Sequence, residues 1–222
     1  MARSKANKGS KLKIIPLGGV DEIGKNMTVY EYEDDMIVVD CGSIFPQEDM
    51  LGVDLVIPDT TYIEKNVSKL RGFLITHGHE DHIGATPYVF EKLKAPVYGT
   101  RLTLALVDHK LKERRVGGVD LRVIQPHDVV QLGNSFKVEF LHVNHSIAGA
   151  VAMAIHTPVG TVIHTGDFKI DYTPVDGEQF DLGRMAQLGE EGVLALLCDS
   201  TNVERPGYTM SERTVGATFE NL

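Results

Sequence analysis

Cysteine is scarce in this 222-residue chain: only Cys41 and Cys198 are present. Two thiols cannot form a disulfide framework. Each ends an apolar, strand-like run, so both are expected to be buried and reduced, as in a cytoplasmic protein. Long apolar runs are also missing. The longest, residues 147–155 and 193–198, fall well short of the roughly 18 residues a membrane helix needs and read as buried strands. The basic start, MARSKANKGS, lacks an apolar stretch behind it, so residues 1–11 read as a disordered tail and not as a signal peptide. There is no internal repeat and no low-complexity segment.

Positive charge is the third shortage. The formal net charge is -9, and an acidic chain is a poor general binder of polyanions. Chemistry on nucleic acid would therefore need positive charge from bound metal or from other sequence. The tail carries Arg3, Lys5, Lys8, Lys11 and Lys13 and no acid over those thirteen residues. It reads as a solvated end in preference to an RNA-binding arm.

What is present is ordinary for a soluble globular protein: 42% hydrophobic and 24% charged residues. The length suits one buried domain, or one domain and the beginning of another. Strands are expected at residues 12–17, 27–33, 36–40, 71–76, 96–98, 129–132, 136–142, 151–156, 161–164 and 193–198. Asp34-Asp35 and Pro158-Val159-Gly160 serve as hairpin turns. Helices are expected at residues 83–93, 102–114 and 184–188, with another starting at an N-cap Ser211 and running to residue 222. Hairpins interrupted by a few helices predict a mixed α/β layered fold, not a parallel βαβ sheet.

The decisive segment is residues 76–84, THGHEDHIG. Imidazole and carboxylate are ordinary zinc donors, and three histidines with an aspartate in six positions can serve two adjacent ions. His77 and His79 can aim at one, Asp81 and His82 at a second. Gly78 and Gly84 let the backbone pass close beneath the site. His145, in VNHS, and Asp167, in HTGDF, stand just beyond predicted strands. A carboxylate such as Asp167 can bridge two cations.

These segments resemble the metallo-β-lactamase motifs, with Asp40 in the first, His77 to His82 in the second, His145 in the third and Asp167 in the fourth. Residues 16–26 (PLGGVDEIGKN), 50–59 (MLGVDLVIPD), 164–169 (HTGDFK) and 199–207 (DSTNVERPG) narrow the likeness to the bacterial ribonuclease J family of metallo-β-lactamase/β-CASP enzymes. The likeness runs from about residue 12 onward. One departure is Ala148-Gly149, where the family commonly has Pro-Asp.

The resemblance implies an α/β metallo-β-lactamase fold, an αββα sandwich, incomplete here: residues 12–205 in the metallo-β-lactamase domain and 206–222 at the start of a β-CASP domain. A last ligand histidine would lie beyond Leu222, leaving this piece inactive alone. It implies two zinc ions, one on His77, His79 and His145 and one on Asp81 and His82, with Asp167 bridging. Asp81 and Asp167 are the implied catalytic carboxylates. Asp40 and Asp199 would orient histidines, and Gly52 and Asp54 match a calcium site. The implied enzyme is cytoplasmic, acts on RNA in mRNA turnover and rRNA maturation, and assembles as a dimer or tetramer, in some cases with a paralogous subunit. His109, His127, His142, His156 and His164 are given surface or structural places. Two rivals stay open: a small-molecule hydrolase with the same ligands, acting on a thioester or lactone, and an inactive truncated or partner subunit.

Overall fold

The structure, a computed structural model, describes residues 9–220, so the predicted tail lies almost wholly outside the described residues. Strands β1 (Lys13–Gly18), β2 (Met27–Tyr32), β3 (Asp35–Val39), β4 (Leu70–Leu74), β5 (Val97–Gly99) and β6 (Leu121–Val123) form one sheet in sequence order. The first three pair antiparallel, and β3 to β6 pair parallel. A second sheet, β7 (Val129–Leu132), β8 (Phe136–His142), β9 (Val151–Thr157), β10 (Gly160–His164) and β11 (Val193–Leu197), is antiparallel except for its β10–β11 edge.

The side-chain alternation of β2 and β3 explains the layering. Met27, Val29, Met36 and Val38 face one core, with Phe90, Leu104 and Val107 from helices α3 (Thr86–Lys92) and α4 (Arg101–Glu113). Tyr30, Tyr32, Ile37 and Val39 face the other way, into a core shared with Phe136, Phe140, Met153 and Ile155 of the second sheet. Strands covered on both faces carry mainly apolar side chains on each, and the buried polar residues of β2, Thr28 and Glu31, are the exceptions. Phe180 and Leu188 then cover the outer face of the second sheet, Leu188 from helix α5 (Leu182–Glu191). The layers are helix, sheet, sheet, helix, as the resemblance implied.

Several sequence expectations need correction. The helix expected at residues 83–93 is two: α2 (Glu80–Ile83) and α3. Ala85 leaves the helical ladder to donate its N–H to Cys41 O, and Pro87 suits a fresh first turn. The first hairpin turns at Glu33-Asp34, not Asp34-Asp35, since Tyr32 pairs with Asp35. Asp35 is held in the strand by Arg71 Nε at 2.6 Å and by the N–H of Asn134 at 2.7 Å. Strand β11 is not buried: it is a sheet edge, with Leu194 55% and Leu196 61% exposed. Cys198, just beyond it, is exposed, whereas Cys41 is buried. Helix α1 (Thr61–Lys65) and β6 had no clear sequence signal, being too short for periodicity to register. Ser211 does accept the Arg213 N–H, at 3.3 Å, at the head of helix α6 (Arg213–Glu220).

Within the first sheet, Glu31 of β2 is buried and accepts from Lys13 at 2.8 Å, Lys69 at 3.0 Å and the Tyr62 hydroxyl at 2.7 Å. Burial alone would raise its pKa, but these three donors prevail and draw it down to about 2. A depressed carboxylate stabilises the fold above its unfolded pKa, and that stability is lost as pH falls through the folded value. Glu31→Gln is therefore expected to cost on the order of 2 kcal/mol at pH 7. The gap from wild type should shrink as pH falls from about 4.5 towards about 2. Urea unfolding across that range measures it; a gap that does not vary with pH would contradict the assignment.

Candidate metal centre

Strands β3 and β4 run parallel, and so do β8, β10 and β11 within their sheet, so their C-terminal ends gather at one rim. Asp40, Thr76 to His82, His145, Asp167 and Asp199 all follow such ends. The rim is tied across the sandwich by Val151 N–H to Thr76 O at 3.0 Å.

Asp40 leaves β3 in the left-handed region, φ 62°, an uncommon conformation that aspartate tolerates better than most residues. There its Oδ1 accepts the Thr76 N–H at 2.8 Å, while Oδ2 takes the Thr76 hydroxyl at 2.9 Å and faces His82 Nδ1 at 2.8 Å. The following backbone cradles α2: Cys41 N–H donates to His82 O and Asn26 N–H to Asp81 O. A Cβ on Gly42 would stand 1.6 Å from Asp81 O, so only glycine fits. Gly84 is also constrained, since a Cβ there would stand 2.6 Å from the Glu80 carbonyl and press on the Ser43 side chain.

Three imidazoles converge. His79 Nδ1 lies 3.0 Å from His77 Nε2 and 3.1 Å from His145 Nε2. A second group joins His77, His82 and Asp167; in each group one donor atom per residue lies within 4.8 Å of the others. Asp167 stands between them, Oδ1 3.2 Å from His82 Nε2 and Oδ2 3.8 Å from His145 Nε2. Asp81 Oδ2 is 3.5 Å from His82 Nε2. Asn26 Nδ2 contacts His82 Nε2 at 3.1 Å and donates to Asp81 O at 3.2 Å.

Burial, reinforced by the neighbouring imidazoles, lowers the pKa of His77. Burial also lowers that of His145, so both present neutral nitrogen lone pairs. Burial opposes charge on His82 too, but Asp40, Asp167 and Asp81 outweigh it and raise its pKa. Burial would raise the pKa of Asp81 and Asp167, yet their contacts with His82 leave both lowered and ionised. Neutral His77 and His145 beside ionised Asp81 and Asp167 form a donor set that fits divalent zinc, and His82 would release its proton on ligating.

The other predicted positions separate. Asp199 accepts from the N–H and hydroxyl of Thr201, at 2.8 and 2.7 Å, and contacts no histidine. It nevertheless lines the same cleft as Asp81, His82 and Asp167, and its charge acts on His145. Gly52 and Asp54 are exposed, and among the described residues neither potential metal group includes Asp54. His109 and His127 are exposed, while His142 and His156 make structural contacts with Glu178 O and Thr161. Sequence reasoning passed over Thr76 and Asn26, which orient the site, and His164, which lines its cleft. Both Asn26 and His164 fall in the quoted 16–26 and 164–169 segments, the one available signal.

Comparison with known proteins bears on all of this. The metallo-beta-lactamase superfamily matches residues 20–189. A Ribonuclease J from Synechocystis sp. is 52% identical over 206 residues, covering 92% of this chain and 32% of that protein. Ribonuclease J of Thermus thermophilus is 45% identical over 218 residues, covering 95% and 38%. The chain thus spans about a third of the length of these curated relatives. A solved Enterococcus faecalis protein of unknown function superposes with TM-score 0.69 at 17% identity, covering 94% of this chain and 56% of that one. The metallo-beta-lactamase fold protein YhfI from Bacillus subtilis gives 0.50 at 18%, covering 73% and 64%. At those identities the solved structures speak for fold alone.

Proposed function

The chain belongs to the metallo-beta-lactamase superfamily, and from that premise we propose that the protein it forms part of is a zinc-dependent ribonuclease, degrading RNA 5′ to 3′ and also cutting internally. The metal motif alone is shared with hydrolases of small molecules. The observation that carries RNA as substrate is the 52% identity, over 206 residues and far beyond that motif, to a protein named Ribonuclease J. In this reading residues 12–205 are the metallo-β-lactamase domain and residues 206–222 begin a β-CASP domain. The protein works in the cytoplasm on mRNA and rRNA, as a homodimer or tetramer or with a paralogous subunit. Among the described residues no helix is long and apolar enough to cross a membrane.

His77, His79 and His145 would hold one zinc, and Asp81 and His82 the other, with Asp167 between. When bound, the ions supply Lewis acidity, acidifying a water and neutralising charge on the phosphate. The chain's own groups do the rest. Asp40, fixed by Thr76, holds His82 Nδ1 and so aims Nε2 into the cleft. Asp81 and Asp167, kept ionised, are the carboxylates able to accept a proton. Asn26 holds the Asp81 backbone and side chain in register with His82. An acidic chain thereby meets a polyanion with positive charge concentrated at the metal site. The greater part of the RNA-binding surface is assigned to the two-thirds of the protein outside this chain.

The full-length protein is expected to retain close to two zinc ions after exhaustive dialysis, by elemental analysis, and this chain alone fewer. It should degrade 5′-monophosphorylated single-stranded RNA and leave thioesters and lactones untouched. Intact RNA beside a hydrolysed thioester would establish the small-molecule rival instead.

A further inference from the structure

The cleft beside the metal centre, about 700 Å³, is lined by Asp21, Glu22, Asp40, Asp81, Asp167 and Asp199. Among the described residues no lysine or arginine lines it. Apart from bound metal, a phosphodiester entering it meets only neutral donors. Most of those on the wall already have acceptors: Asn26 is directed to Asp81, Thr165 to Gly166 O and Thr201 to Asp199. His164 differs. Its Nδ1 lies 2.8 Å from the hydroxyl of Tyr30, a fully buried side chain of β2, so the contact spans the two sheets. Its Nε2 has no hydrogen-bond partner among the described residues.

We propose that His164 is a further catalytic residue, whose Nε2–H, fixed by the Tyr30 hydroxyl on Nδ1, donates to a nonbridging oxygen of the scissile phosphate. This rests on the phosphodiester-hydrolase reading above. Burial, with the charge of Asp40, raises the pKa of Tyr30, so its hydroxyl keeps its proton. Among the described residues that buried hydroxyl has no other acceptor, so it donates to Nδ1. A neutral imidazole that accepts at Nδ1 carries its proton on Nε2. Burial lowers the pKa of His164, which keeps the ring neutral. A neutral, preset donor stabilises charge growing on phosphate without reorganising at the moment of reaction.

Asparagine and glutamine separate this from a purely structural tie between the sheets. In the full-length zinc-loaded protein, His164→Asn places an amide where Nδ1 was and keeps the Tyr30 contact, but it cannot reach the cleft. It should lower kcat about 100-fold with KM changed less than about 3-fold. His164→Gln reaches the Nε2 position and should recover about 10-fold of that loss. Zinc content should match wild type in both. Without turnover, selective 15N-histidine labelling should show His164 protonated on Nε2 in wild type and a mixture of tautomers in Tyr30→Phe. A wild-type rate in His164→Asn, equal losses in both variants, or an Nδ1–H tautomer in wild type would each overturn the proposal. Failure of the ribonuclease reading looks different: wild type itself leaves RNA intact, and the proposal then falls with it.

Discussion

Asp81→Ala in the full-length enzyme should lower RNA turnover by about 1000-fold while leaving RNA affinity within about 3-fold of wild type. Asp81 is half-buried, held by Asn26 and by its contact with His82, and its lowered pKa keeps it ionised. In the proposed two-zinc reading, losing it removes a donor for the second ion and a proton acceptor, both needed mainly in the transition state, so kcat should fall more than affinity. Binding should survive because the RNA surface is assigned largely outside this rim. His82→Ala should be equally inactive and also less stable, because it strips Asp40 of a partner at a buried site. His109→Ala is the control: the side chain is 72% exposed, pairs among the described residues only with Glu113 on its own helix, and should leave turnover near normal. Single-turnover cleavage and equilibrium RNA binding on the same variants decide it. Near-wild-type cleavage by Asp81→Ala would end the two-metal assignment, and an inactive His109→Ala would show the wrong residues had been chosen.

Asp40→Ala should weaken zinc binding about 10- to 100-fold and destabilise the metal-free protein by about 3 kcal/mol. Three donors lose their acceptor at a buried place: the Thr76 N–H, the Thr76 hydroxyl and His82 Nδ1. Alanine at φ 62° is strained as well. Asp40→Asn separates these effects. Asparagine tolerates the left-handed backbone and keeps one acceptor oxygen, so roughly half the stability should return. Its amide cannot replace a charged oxygen for both Thr76 and His82, so the loss of zinc affinity should persist. Urea unfolding and competition with a chelator read the two quantities independently. Zinc affinity unchanged in Asp40→Ala would remove its orienting role.

Both residues show how far local sequence reaches. THGHEDHIG marked a metal loop because histidine and aspartate at that density beyond an apolar strand have few other uses, and the glycines predicted close backbone approach. Gly84 indeed stands against Ser43. Strands β2, β3, β9 and β10 were legible to within about a residue, since short apolar runs bounded by turn-forming residues are local signals, although the first turn itself lay one residue earlier than expected. The break at Gly84-Ala85 was not legible, because it exists to serve a partner, Cys41 O, more than forty positions away. The edge position of β11 and the exposure of Cys198 were hidden for the same reason: apolar content does not say which face is covered.

The sequence by itself determined the donor types, their spacing in the second motif, the layered α/β class and the shortage of positive charge. Covalent neighbours and side-chain chemistry suffice for those. For Asp167 and Asp40 the resemblance implied the roles, and the tertiary structure supplied the partners: Asp167 stands between two imidazole groups and Asp40 faces His82 Nδ1. Only the tertiary structure turned Asp199 to its own turn and tied His164 to Tyr30 across the sandwich. Each of these depends on parallel strand directions bringing distant chain ends to one rim, and strand direction is fixed by packing between sheets, not by any local residue pattern.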